Sequence, residues 1–259
     1  MVIYRGNSFP ALSKCLKLRY LDLSLVITRI QFSSLTWALR NLQELHTLLV
    51  PTGIHISTMG CKEELSVWPR NLQRLQLSGI IDPIYVDRRL RPQKLTSLTL
   101  NYCEDLSPNS IMCFLGVCGL ADGLRRLTIG SSNRRLTFES IDASLAFIPN
   151  LSFLSVPGDL VRDTFFEILA QSSMSLHLRV LELGEEYYDS HHLGFSNKSL
   201  IEAIPTSLPL LRSVGFSDVF VTNERIMQDE ELEPVLKESA KRRGDPPERI
   251  DKAGVYYLQ

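Results

Sequence analysis

The row with the most chemical promise is Asp189-Ser190-His191-His192, which sets a carboxylate, a hydroxyl and two imidazoles side by side. A hydrolytic triad draws those groups from separated segments, because the base must sit between nucleophile and orienting acid with fixed hydrogen-bond geometry. Adjacent residues do not supply that geometry, so a solvated loop is expected. As a metal site the row lacks the i, i+4 spacing that turns two ligands to one helix face. Cys15, Cys61, Cys103, Cys113 and Cys118 form an odd set with no CxxC pair and no histidine at zinc spacing, and they read as reduced thiols. No glycine-rich phosphate loop follows a strand, so nucleotide binding has no support. The expectation is a chain that is not an enzyme, with no catalytic residue, no metal and no cofactor.

Charge narrows the partners. Twenty-eight basic and 29 acidic residues leave a formal charge of −1 on 259 residues, too little field to call for nucleic acid or an anionic membrane. The opening MVIYRGNSFP has neither the apolar core nor the small-residue cleavage site of a secretory signal. The least charged stretch, Leu106 to Ala121, is short and broken by Ser107, Pro108, Asn109 and Ser110, so it does not span a bilayer. An intracellular chain in cytoplasm or nucleus is expected, with a protein as its ligand.

The elements that would position any site come from a repeat. LRYLDL puts leucine at positions 18, 21 and 23, and the L-x-x-L-x-L spacing returns from Leu45, Leu72, Leu95, Leu124, Leu151, Leu178 and Leu211. The first leucines are 27, 27, 23, 29, 27, 27 and 33 residues apart. The second and third apolar residues of each copy lie two apart, so in a strand both point to one face. Strands are therefore predicted near 20–24, 47–51, 74–78, 97–101, 126–130, 153–157, 180–184 and 213–217, stacked in parallel, with helices or irregular turns returning the chain. This is an α/β leucine-rich-repeat solenoid, a horseshoe whose parallel sheet lines the concave side. Thr164 to Glu167 and Ser199 to Glu202 match the capping box that starts a helix, and Ser110 to Leu115 reads as a further return helix.

Residues 98 to 111, LTLNYCEDLSPNSI, resemble the cysteine-containing repeat of the F-box class of leucine-rich-repeat proteins. Cys103 takes the position where a side chain caps backbone groups at the inner turn. The other copies carry Val26, Gly53, Ile80, Ser132, Asp159, Glu186 and Val219 there, so the strand motif is shared throughout and the cysteine signature once. LPLLRSVGFSD and IPNLSFLSVPGD are also similar to fungal F-box-type proteins with divergent repeats. The resemblance implies substrate recognition for a cullin-type ubiquitin ligase, although the F-box that normally precedes such repeats finds no room before Leu18. The chain is expected to start within a solenoid already in progress, with Val2 to Tyr4 as a preceding or edge strand. Two alternatives stand beside the ligase reading: a free-standing scaffold and a small-GTPase activator.

If the leucines face inward, their neighbours face the concavity, about 4.8 Å apart from repeat to repeat. The expected binding set is Tyr20, Asp22, Arg74, Gln76, Thr99, Arg126, Thr128, Phe153 and Glu182, flanked by Thr47, Leu49, Ser97, Ser155 and Val180. Tyr20, Arg74, Arg126 and Phe153 are the candidate hot spots. The longest repeat carries the insertion Glu185 to His192, an acidic and aromatic loop suited to a basic partner. The solenoid is taken as residues 1–229. Residues 230–243, acids first and bases last, are expected to form a capping helix that turns Leu232, Val235 and Leu236 to the last repeat. Residues 244–259 are read as a tail, with Val255 to Leu258 docking on the body.

Overall fold

Each repeat has one leucine to anchor its turn and two to face inward, and the chain answers with a short strand at every copy. The computed structural model describes residues 9–26, 30–52, 54–56, 68–81, 92–117, 123–145, 148, 150–171, 177–188, 193–221 and 229–258. Val2 to Tyr4 and the Asp189 to His192 row lie outside them. The chain forms two compact units, one of residues 1–124 with 132–136, the other of 125–131 with 137–259.

In the first unit, β1 (Tyr20–Asp22), β3 (Thr47–Leu49), β5 (Arg74–Ile81) and β6 (Ser97–Cys103) pair in parallel in that order. Two short strands, β2 (Ile30–Gln31) and β4 (Ile54–Ile56), pair in parallel with each other, and β4 continues onto the end of β5. The register Leu48, Leu75, Leu98 runs straight across the sheet, and all three side chains are buried. The register slips after Leu77, where Gly79 at φ 83° meets Cys103. Helix α1 (Phe9–Leu12) and α2 (Phe32–Leu39) precede their strands, and α2 buries Leu35, Ala38 and Leu39. The helix expected over Ser110 to Leu115 starts two residues earlier, as α3 (Pro108–Ile111), and runs on as π-helix to Val117. Its N-cap is Ser107, whose hydroxyl accepts from the Ser110 amide, with proline at the first position where no amide is needed.

The inner turn of this unit departs from the sequence register by one residue. Ser132, the predicted position, is exposed, whereas Asn133 is buried at 3% exposure. Its Oδ1 accepts from the Cys103 amide at 2.8 Å and its Nδ2 donates to the Leu100 carbonyl at 2.9 Å. The Cys103 thiol is buried beside it, and desolvation raises its pKa to about 12.

In the second unit, β7 (Arg126–Ile129), β8 (Phe153–Pro157), β9 (Val180–Gly184), β10 (Ser213–Ser217) and β11 (Gly254–Leu258) pair in parallel in chain order. Leu127, Leu154, Leu181 and Val214 form the matched inward row, each at 0% exposure. Burying one such side chain is worth about 1.5–3 kcal/mol, so repetition supplies most of the cohesion. The return helices are α4 (Phe138–Leu145), α5 (Asp163–Gln171) and α6 (Asn197–Thr206). On α5, Phe165, Phe166 and Leu169 are buried while Asp163, Thr164 and Glu167 are exposed, a one-face pattern at helical spacing. The capping boxes are placed differently from expectation. Helix α5 already begins at Asp163, and α6 begins at Asn197, capped by Ser196, whose hydroxyl accepts from the Ser199 amide at 3.2 Å. Ser199 therefore lies inside the first turn. The Asp163 carboxylate also accepts from the Ser196 amide, which joins the two helix starts and, with the Ser199 hydroxyl, lowers its pKa.

After α7 (Asp218–Val221) comes α8 (Asp229–Arg242), with Leu232, Leu236 and Ala240 fully buried and Val235 half-buried. Arg243 then turns inward. Its Nη1 donates to the Pro209 carbonyl at 2.6 Å, and its guanidinium pairs with Asp245, which also holds Arg212 at 3.1 Å. This arginine is committed to the fold. Beyond α9 (Pro247–Ile250), the segment read as a tail is β11, in register with β10 from Ser213 opposite Gly254 to Ser217 opposite Leu258. The unbroken run Val255-Tyr-Tyr-Leu258, rich in β-formers, gives the strand, and the Gly254 amide donating to the Arg212 carbonyl fixes its start. No L-x-x-L-x-L copy announces it. Among the described residues no helix is long and apolar enough to cross a membrane.

Candidate protein-binding face

Because inward leucines alternate with the residues between them, each strand presents two side chains on the opposite face. In the first unit the register aligns Tyr20, Thr47, Arg74 and Ser97 in one row, and Asp22, Leu49, Gln76 and Thr99 in the next. Tyr20 is 56% exposed, and its hydroxyl donates to Asp22 Oδ2 at 3.4 Å. The Asp22 carboxylate also accepts from the Ser24 hydroxyl at 2.6 Å and its amide at 2.9 Å, which holds its pKa below the ordinary value. Arg74 is exposed, while Gln76 and Thr99 are half-buried between their neighbours. These rows are mainly polar, with Leu49 among them and Tyr20 at one end.

The second unit is more structured. Its rows are Arg126, Phe153, Val180, Ser213, Gly254 and Thr128, Ser155, Glu182, Gly215, Tyr256. The Arg126 guanidinium lies 3.6 Å from the centroid of the Phe153 ring, a cation–π stack that leaves the phenyl only 8% exposed. Arg126 itself is exposed. Phe153 is therefore a support for the arginine more than an open anchor. Thr128 is half-buried.

Glu182 is fixed from the next strand but one. The Tyr256 hydroxyl donates to Glu182 Oε1 at 2.7 Å, and burial together with the carboxylate pushes the phenol well above its ordinary pKa. Gly215 makes this reach possible, since a Cβ there would stand 2.8 Å from the Tyr256 ring. Tyr256 is the residue that sequence reasoning missed. It lies past the last motif copy, and only the run of strand-forming residues from Val255 to Leu258 marks it.

The strand ends of this unit form a half-open cavity of about 220 Å³ lined by Thr128, Gly130, Ser131, Ser155, Pro157, Gly184, Glu185, Ser217 and Leu258, among others. Ser131 donates to Glu185 Oε2 at 3.3 Å, bridging the ends of β7 and β9. The insertion after β9 is anchored at its start. The buried Asp159 carboxylate accepts from the amides of Tyr187 at 2.9 Å and Tyr188 at 2.7 Å, while the Tyr188 ring is 57% exposed. Among the described residues no group of three or more His, Cys, Asp and Glu side chains is placed to hold a metal ion.

No family model matches the chain. It is 30% identical over 214 residues to F-box protein YDR306C of Saccharomyces cerevisiae, covering 80% of this chain and 43% of that protein. It is 25% identical over 181 residues to protein pof5 of Schizosaccharomyces pombe, covering 69% of this chain and 50% of that protein. The chain thus spans about half the length of the curated relatives it matches. Among solved structures it is similar to an internalin from Listeria monocytogenes, with 14% identity, TM-score 0.42, and 96% and 56% of the two chains covered. The leucine-rich repeat-containing protein LegL7 from Legionella pneumophila gives 18% identity, TM-score 0.47, and coverage of 92% and 86%. With its repeated strand, parallel sheets and return helices, the chain is a leucine-rich-repeat protein similar in sequence to fungal F-box proteins.

Proposed function

We propose that this chain is the recognition part of an F-box-type ubiquitin ligase, holding a protein substrate on the outward rows of its strands while other subunits do the chemistry. The observation that carries the reading is the pre-set pair of side chains on the second unit, Arg126 stacked on Phe153 and Glu182 held by Tyr256. Fixing long side chains before binding lowers the ordering cost of association, which is what an interface anchor needs. Aromatic and arginine side chains are also the types that dominate interface energetics. The similarity to F-box protein YDR306C supplies the ligase context. In this reading the protein works inside the cell, uses no cofactor and catalyses nothing itself.

The test is affinity purification of the tagged endogenous protein, with mass spectrometry of co-purifying proteins, for wild type and for Arg126→Ala with Tyr256→Phe. Recovery of a cullin-type ligase adaptor with both forms, and loss of one further protein from the variant, is expected. Partners recovered without any ligase subunit would replace the ligase reading with a plain binding scaffold.

A further inference from the structure

The cavity at the strand ends of the second unit has a chemistry of its own. Its lining is mainly apolar, from Ile129, Val156, Pro157 and Leu258, with the hydroxyls of Thr128, Ser131, Ser155 and Ser217 set among them and Glu185 as its charged member. Glu182 stands in the adjoining row. The nearby cation, Arg126, is turned onto the Phe153 ring and does not line the space.

Gly184 is informative. No backbone strain demands glycine there, and a Cβ would meet its nearest neighbour, the Val156 carbonyl oxygen, at 3.5 Å, an ordinary contact. Gly215, by contrast, must stay bare for Tyr256. A small side chain at 184 would meet only ordinary contacts, and Gly184 lines the cavity of about 220 Å³. A space with an apolar wall, hydroxyl oxygens and a carboxylate, and with no basic group among the described residues of its lining, complements a cation on an extended stem.

We propose that this cavity receives a lysine or arginine side chain of the protein substrate. The inference rests on the recognition reading above and names the chemistry of its partner. The aliphatic stem lies along Val156, Pro157 and Leu258, and the charged head donates to Glu185 and the surrounding hydroxyls. Arg126 then selects against a second cation in the neighbouring row, so the favoured segment carries its basic residue on the β9 side.

The test uses the full chain and two small probes, Nα-acetyl-lysine N-methylamide and its neutral norleucine counterpart, followed by amide chemical shifts. The lysine probe is expected to shift Ser131 and Gly184 and to bind at least about tenfold tighter than norleucine, with the difference fading at high salt. Glu185→Gln should remove that preference. Gly184→Val should abolish binding while melting like wild type, which separates a blocked cavity from a misfolded chain. Equal shifts from both probes, or a preference untouched by Glu185→Gln, would overturn the proposal. In the purification experiment, loss of the partner with Arg126→Ala but not with Gly184→Val sinks the cavity and leaves the recognition face. Retention of every partner by both variants sinks the face itself.

Discussion

Replacing Asn133 with alanine removes a carboxamide that serves two backbone groups in a buried turn. The Cys103 amide loses its acceptor at 2.8 Å and the Leu100 carbonyl its donor at 2.9 Å. An unpaired buried polar group costs about 1–3 kcal/mol, and the carbonyl, with two lone pairs, counts toward the lower end. The expected destabilisation is therefore about 3 kcal/mol. Ser132→Ala, one residue away and exposed, should change stability by less than about 0.5 kcal/mol. Asn133→Asp keeps the acceptor but sets an oxygen against the Leu100 carbonyl, so it should cost nearly as much as alanine. Urea unfolding with unchanged m-values gives the free energies, and hydrogen exchange over residues 100–104 locates the effect in the first unit. An Asn133→Ala variant within about 0.5 kcal/mol of wild type, or a Ser132→Ala variant just as damaged, would refute the assignment of the inner-turn cap.

Burial raises the Asp142 carboxyl to about 6, with Glu139 adding repulsion, and among the described residues its Oδ1 has no hydrogen-bond partner. The folded state therefore holds the proton more tightly than the unfolded chain, and stability attributable to this group falls as pH rises from about 4 to about 6. Asp142→Asn should stabilise the protein by about 1 kcal/mol at pH 7, after discounting for partial solvent screening, and by nothing near pH 4; thermal melts across that range check it. Gly215→Ala should push the Tyr256 ring off its seat and break its bond to Glu182, exposing β11 to faster hydrogen exchange and costing about 1–2 kcal/mol. Native alkylation at pH 8 followed by peptide mapping should label the exposed Cys15 and spare Cys103, whose thiol titrates at about 12. Labelling of both at equal rates would contradict the buried placement of Cys103.

What the sequence determined by itself is the alternation. A period-two apolar pattern leaves a strand one way to bury its leucines, so the copies starting at Leu18 through Leu211 place eight strands and sort their intervening residues onto the other face. The outward rows that hold Tyr20, Arg74, Arg126 and Glu182 follow from that parity alone. Three features required the tertiary structure. The inner-turn cap moved from Ser132 to Asn133 because turns absorb single-residue slips that strands cannot. The helix start at Asn197 was settled by the Ser196 hydroxyl reaching the Ser199 amide, a matter of geometry among several serines. Strand β11 carries no leucine motif, since its place comes from the open edge of β10 and from helix α8 folding back behind it. Tyr256, which fixes Glu182 across the bare Gly215, is brought there by long-range pairing, and no local spacing in the chain encodes a contact 74 residues apart.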